Sequence, residues 1–329
     1  MQCWKRRAVN DPLTVPPAMD ATRMWGLFAL KICLSVGLMW WFARQVDVAA
    51  IAGSLQSIKM GSAIAAFGFL LIFGVVSAER WRRICRSLKM RLSVGVAQRL
   101  FFISMFFNQT LSTTIGGDAA RVWLLRAQGI TTFMGVVTIV QERIAGLLGL
   151  GALVAVAVVW SPAANVWGST ILIAVGIILI VILGAAAWMP ARPAWIRRLG
   201  RTCRIMRRLL LSFAGLQLLV LSIVIHGIGG VAIYLLARAL GVSLELLICL
   251  LVVPPTLLLA TLPISIGGWG VREAALIAVL GPLGVSTPDA FMVSVVFGVM
   301  VMAAGLPGGI LWLWHHGRRV NSTPTSRRR

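Results

Sequence analysis

The chain has 329 residues, 59% of them hydrophobic and only 12% charged, with a mean hydropathy of +0.92. A soluble domain carries about 25% charged residues, so a water-soluble enzyme is excluded. What remains is a polytopic membrane protein, and its net charge of +22 reads as basic residues held on the cytoplasmic side, not as a nucleic-acid footprint.

Residues 1–23, with Lys5, Arg6, Arg7 and three prolines, read as a disordered basic cytoplasmic tail. The apolar stretch from Met24 has no small-x-small cleavage site after Trp40-Trp41, so it reads as a retained signal-anchor; Met19 and Met24 are alternative starts. Full spans, each near the roughly 20 residues that cross a bilayer, are expected at 24–42, 61–79, 136–160, 166–188, 210–238 and 289–314. Trp40, Trp41, Trp160, Trp188, Trp312 and Trp314 sit at their ends as an aromatic belt. Basic clusters at 80–99, 192–208 and in the tail 316–329 place both termini in the cytoplasm. The five cysteines are scattered and the three histidines, His226, His315 and His316, have no metal-ligand spacing, so no metal or cofactor is expected.

Two segments do not fit simple crossings. Residues 100–135 must start and end inside, and residues 244–284 must start and end outside. Each is apolar and broken by Gly or Pro, which predicts two re-entrant hairpins, irregular backbone being tolerated at depth only against protein or a water-filled cavity. The alternative for the second is two extra full spans, which preserves parity and gives up to eight. The fold class is therefore an all-α polytopic membrane protein in which 24–315 form one transmembrane domain.

Both odd segments carry the same signature. Ile115-Gly116-Gly117-Asp118-Ala119-Ala120-Arg121 and Ile266-Gly267-Gly268-Trp269-Gly270-Val271-Arg272 are each IGGxxxR, 151 residues apart. Gly129-Ile130-Thr131-Thr132 is echoed by Gly284-Val285-Ser286-Thr287. One hairpin entering from each side makes an inverted repeat, an architecture of alternating-access transporters.

Glycines at a helix start let backbone N–H groups approach an anion, and an arginine one turn on can add paired hydrogen bonds to a phosphate. The plainer alternative is that the glycines permit tight packing and that Arg121 pairs with Asp118. Four carboxylates, Glu79, Asp118, Glu142 and Glu273, lie beside arginines in apolar segments, where ionisable groups are costly. Neighbours on a helix do not face each other, so Glu142-Arg143 and Arg272-Glu273 are expected to pair across segments. Such pairs either hold the hairpins or exchange protons. His226 reads as a satisfied packing histidine.

Glu79-Arg80-Trp81, Gln109 through Gly117-Asp118-Ala119-Ala120-Arg121, Glu142-Arg143 with Ala145-Gly146-Leu147, and Leu262-Pro263-Ile264-Ser265-Ile266-Gly267-Gly268-Trp269-Gly270-Val271-Arg272-Glu273 together resemble the lysylphosphatidylglycerol synthase transmembrane-region family of flippase-like proteins. The resemblance covers about residues 25–315. It implies a bacterial or archaeal inner-membrane protein related to the lipid-translocating half of the aminoacyl-phosphatidylglycerol synthases. No aminoacyl-transferase domain follows the last span, so synthase activity is not expected. The expected function is movement of an anionic phospholipid or polyprenyl-phosphate-linked substrate, with the head group at Gly116, Gly117, Asp118, Arg121, Glu142, Arg143, Gly267, Gly268, Arg272 and Glu273. A membrane-embedded lipid-phosphate transferase, or a partner subunit of a lipid enzyme, is the alternative. Expected partners are membrane lipids and, at most, a second copy or such an enzyme, with no nucleic acid.

Overall fold

The computed structural model describes residues 21–44, 58–110, 116–160, 212–260 and 265–320, and every regular element among them is a helix. In chain order they are α1 (Ala21–Ala43), α2 (Met60–Ser87), α3 (Val94–Thr110), α4 (Gly116–Arg126), α5 (Thr132–Trp160), α6 (Phe213–Ala239), α7 (Leu246–Ala260), α8 (Val271–Leu280) with a 3-10 turn Gly281–Leu283, and α9 (Thr287–Val320). Four of them, α2, α5, α6 and α9, are long and apolar enough to cross a membrane. The chain is a multi-pass membrane protein. The span expected at 24–42 falls on α1. The one at 166–188, the arginine cluster 192–208 and most of both tails lie outside the described residues.

Two boundaries differ from expectation. Helix α2 does not stop at 79 but continues through Glu79-Arg80-Trp81 to Ser87, because its buried stripe (Leu70, Gly74, Ser77, Ala78, Trp81, Ile84) keeps helical spacing across the charges. At 28 residues it is about 42 Å long, well beyond a hydrocarbon core of about 30 Å. Helix α9 likewise runs past 316 to Val320. On the outside, Val299, Met302, Leu306, Ile310 and Leu313 form an exposed apolar stripe on α9, and Phe213, Leu216, Val220 and Val224 another on α6. Arginines and carboxylates are buried instead, the reverse of a soluble protein.

The element lengths repeat. Helices α2 to α5 have 28, 17, 11 and 29 residues, and α6 to α9 have 27, 15, 10 and 34. Their ends repeat too. Helix α2 closes with Lys89 in the left-handed region and Met90 N–H on the Cys85 carbonyl; α6 closes with Gly241 there and Val242 N–H on Ala237. Both are Schellman caps. The paired sequences 129–132 and 284–287 are one stop–start unit used twice. Gly129 and Gly284 take positive φ, with Ile130 N–H on Leu125 and Val285 N–H on Leu280. The Thr131 and Ser286 hydroxyls then cap α5 and α9 by accepting from Met134 N–H and Asp289 N–H.

The corresponding helices α2 and α6 pack side by side and antiparallel. Lys59 N–H bonds the Ala239 carbonyl, Arg80 meets Ser222, and Arg83 meets Gln217. Two cores flank this seam. In one, Leu88 and Met90 before α3 join Leu124, Leu125 and Ile130 at the end of α4, so the α3–α4 pair begins and ends at one end of the molecule. In the other, Val242 and Leu244 before α7 join Leu280, Leu283 and Val285 after α8, at the opposite end of α2. Helix α3 crosses α9 so closely that a Cβ on Gly308 would strike the Phe102 carbonyl. Small residues at a crossing let backbones meet in this way.

Candidate functional site

A cavity of about 330 Å³ lies between the halves. Phe73, Phe101, Leu147, Ile225 and Leu257 give it apolar walls, while Arg80, Arg121, Arg143 and Arg272 supply charge. The arginines of both IGGxxxR elements therefore line one cavity. The connections 111–115 and 261–264, which hold Ile115, Thr113 and Pro263, lie outside the described residues.

In the first half the charges form a chain across three helices, and it reaches a fourth in the other half through a serine. Arg121 on α4 donates Nη1 to Glu142 on α5 at 2.5 Å and Nη2 to Asp118, one turn earlier on its own helix. Arg143 donates to the other oxygen of Asp118 at 2.8 Å. Arg80 on α2 donates to Glu142 at 3.4 Å and to Ser222 on α6 at 3.0 Å. The Arg121 guanidinium also lies 5.4 Å from the Trp81 ring and 5.2 Å from Phe101, within cation–π range. Three guanidinium groups face two carboxylates, leaving one positive charge.

The second half is shorter and closed. Arg272 donates Nη2 to Glu273 at 2.6 Å and Nε to Ser294 on α9 at 3.2 Å, and lies 4.6 Å from the Trp269 ring. Glu273, completely buried, accepts Gly270 N–H at 2.6 Å through its other oxygen and Ser294 Oγ at 3.0 Å. Gly267, Gly268 and Gly270 all have positive φ, which glycine adopts without steric cost. Helix α1 supports this loop from outside the repeat: Ile266 N–H donates to Ser35 Oγ at 3.0 Å, and a Cβ on Gly270 would meet Leu38 at 2.8 Å.

Expectation and geometry diverge at three places. Glu142 and Arg143 do pair across segments, but Arg272 and Glu273 pair with each other. Glu273 curls back to cap Gly270 N–H, and that bend carries its second oxygen under the long Arg272 side chain. The Gly117 amide, expected to face an anion, donates to Asn108 Oδ1 at 2.9 Å; Gly116 and Gly117 are buried at the start of α4, and a Cβ on Gly117 would strike the Ser104 carbonyl. Arg80, grouped with the topological arginines by sequence, is 7% exposed and belongs to the site. Its phase was the available signal: Ser77, Arg80, Trp81 and Ile84 share the buried face of α2. Glu79 points elsewhere, to Arg82 and Arg83. His226 lines the cavity with Nε2 on the Gly146 carbonyl at 2.9 Å, a satisfied position.

A comparison with curated proteins yields no match. The family model described as the lysylphosphatidylglycerol synthase TM region matches residues 28–308, which include every helix lining the cavity. The buried arginine–carboxylate chain, the two glycine loops and the cavity they share are thus features of a chain that belongs to the lysylphosphatidylglycerol synthase transmembrane-region family.

Proposed function

We propose that the protein moves an anionic phospholipid or lipid-linked phosphate across the bacterial inner membrane, with the head group held in the cavity between Arg121 and Arg272. One observation carries this reading: arginines 151 residues apart in sequence, each following a glycine pair, line the same cavity. The excess positive charge suits an anion, and the apolar walls suit the adjoining lipid. Alternating access is supported by the antiparallel α2 and α6 and by helix pairs that open at opposite ends of α2. The α3–α4 pair opens beside exposed Arg86, Lys89 and Arg91, which by the positive-inside rule is the cytoplasmic face. The α7–α8 pair then re-enters from the other face, and both termini are cytoplasmic.

Asp118 and Glu142 each accept from two arginines, and Glu273 accepts from Arg272, Ser294 and the Gly270 amide, which favours structural carboxylates over a transferase base. The same engagement favours pairs that hold the helices over a carboxylate that exchanges protons. The test is transbilayer movement of fluorescent phosphatidylglycerol in proteoliposomes. Wild type is expected to move the lipid, while Arg121→Ala and Arg272→Ala, each first shown to elute as folded protein, abolish movement. Wild-type rates in both variants would sink the shared head-group site.

A further inference from the structure

We propose that the oxyanion of the ligand is received on α2, by Ser77 and Arg80 together with Arg121, and not by the glycine amides. This deepens the head-group reading above and rests on it for the lipid source of the phosphate. Ser77, Arg80 and Arg121 are 2%, 7% and 4% exposed, and all three line the cavity. Each has a buried donor without a partner: Ser77 Oγ, Arg80 Nε and Arg121 Nε.

Each guanidinium already commits one hydrogen of each terminal nitrogen. Arg80 uses Nη1 on Ser222 and Nη2 on Glu142; Arg121 uses Nη1 on Glu142 and Nη2 on Asp118. Glu142 thus holds the two guanidinium groups beside each other, one on each oxygen. Ser77 and Arg80 lie one turn apart on the same face of α2. Buried donors left unpaired are costly, and three guanidinium groups over two carboxylates repel one another, a cost that the partial exposure of Arg143 reduces without removing. One ligand class removes both costs, an oxyanion with several acceptor oxygens, as in a phosphate mono- or diester. Of the groups named by sequence, Gly117 N–H is taken by Asn108, whereas Arg272, with Nε and Nη2 on Ser294 and Glu273, keeps Nη1 for the same ligand from across the cavity.

The test is thermal unfolding of the purified full chain in neutral detergent, titrated separately with inorganic phosphate, dihexanoyl-phosphatidylglycerol and neutral dihexanoylglycerol. A ligand that binds the folded state raises the unfolding temperature. The phosphate-bearing lipid is expected to do so and the neutral one not. Ser77→Ala and Arg80→Lys, the second keeping its charge opposite Glu142, are each expected to weaken the apparent affinity by roughly tenfold or more. Wild-type affinity in both variants overturns the site, and so does a wild type that neither phosphate compound stabilises. Stabilisation by inorganic phosphate alone keeps the oxyanion site and removes the lipid as its source. Transport separates the two readings. Weakened binding in the variants, with no lipid movement by wild type, keeps this site and removes the transporter. Movement that is lost in Arg121→Ala and Arg272→Ala but unchanged in Ser77→Ala and Arg80→Lys does the reverse.

Discussion

The two arginine sites answer each other in sequence and differ in construction. Arg121 sits in a chain of charges that ties α4, α5 and α2 together and reaches α6 of the other half through Ser222. Arg272 sits in a closed knot made with its sequence neighbour, one serine of α9 and a loop amide. Where α5 presents Glu142 to Arg121, α9 presents Gly298 to Arg272, and a Cβ there would overlap the guanidinium. The two IGGxxxR stretches share the arginine and differ in what surrounds it. Among the described residues, the first of these two sites reaches the other half through a charged hydrogen bond and the second does not.

Removing the arginines breaks the comparison most severely. Arg272→Ala leaves the completely buried Glu273 without its cation and is expected to cost ~3–5 kcal/mol, read by thermal unfolding in detergent. Arg121→Ala is expected to cost less, ~1–3 kcal/mol, because Asp118 keeps Arg143 and Glu142 keeps Arg80. Equal losses would show that the two surroundings are equivalent after all. Gly298→Ala should come next, at ~1–3 kcal/mol from overpacking. That cost should vanish in an Arg272→Ala background; if it persists, the clash is not with the guanidinium. Ser35→Ala tests the support that the second loop receives from α1, with a loss of ~1 kcal/mol.

The smallest change should be favourable. Lys89 holds the left-handed cap position that Gly241 fills in the other half. Lys89→Gly is therefore expected to raise stability by up to ~1 kcal/mol, and Gly241→Ala to lower it. No gain from Lys89→Gly would mean that the lysine side chain offsets its own backbone strain.

Much of the frame is legible from sequence because it rests on local rules. Four of the expected spans coincide with helices long enough to cross, and the weak echo between 129–132 and 284–287 is a cap-and-restart unit that few residue types can build. The site is less legible because buried charge and topological charge use the same amino acids. Arg80 is seen only when helical phase is followed past the end of the apolar run. The Arg272–Glu273 pair is missed because the rule that neighbours diverge describes Cβ directions, whereas these side chains are long and one of them bends back to a cap.

The antiparallel seam between α2 and α6 has an energetic consequence. If the two helices are copies of one unit, as the proposed exchange requires, they would meet there as subunits do in a two-fold dimer, and tilting one half either way would break and remake similar contacts. In the exchange proposed above, the cavity-open-inward and cavity-open-outward states would then be nearly degenerate in packing energy. The resting preference between them would be set by what the two sites do not share: the Glu142 bridge and the Ser222 link of the first and the α1 brace of the second.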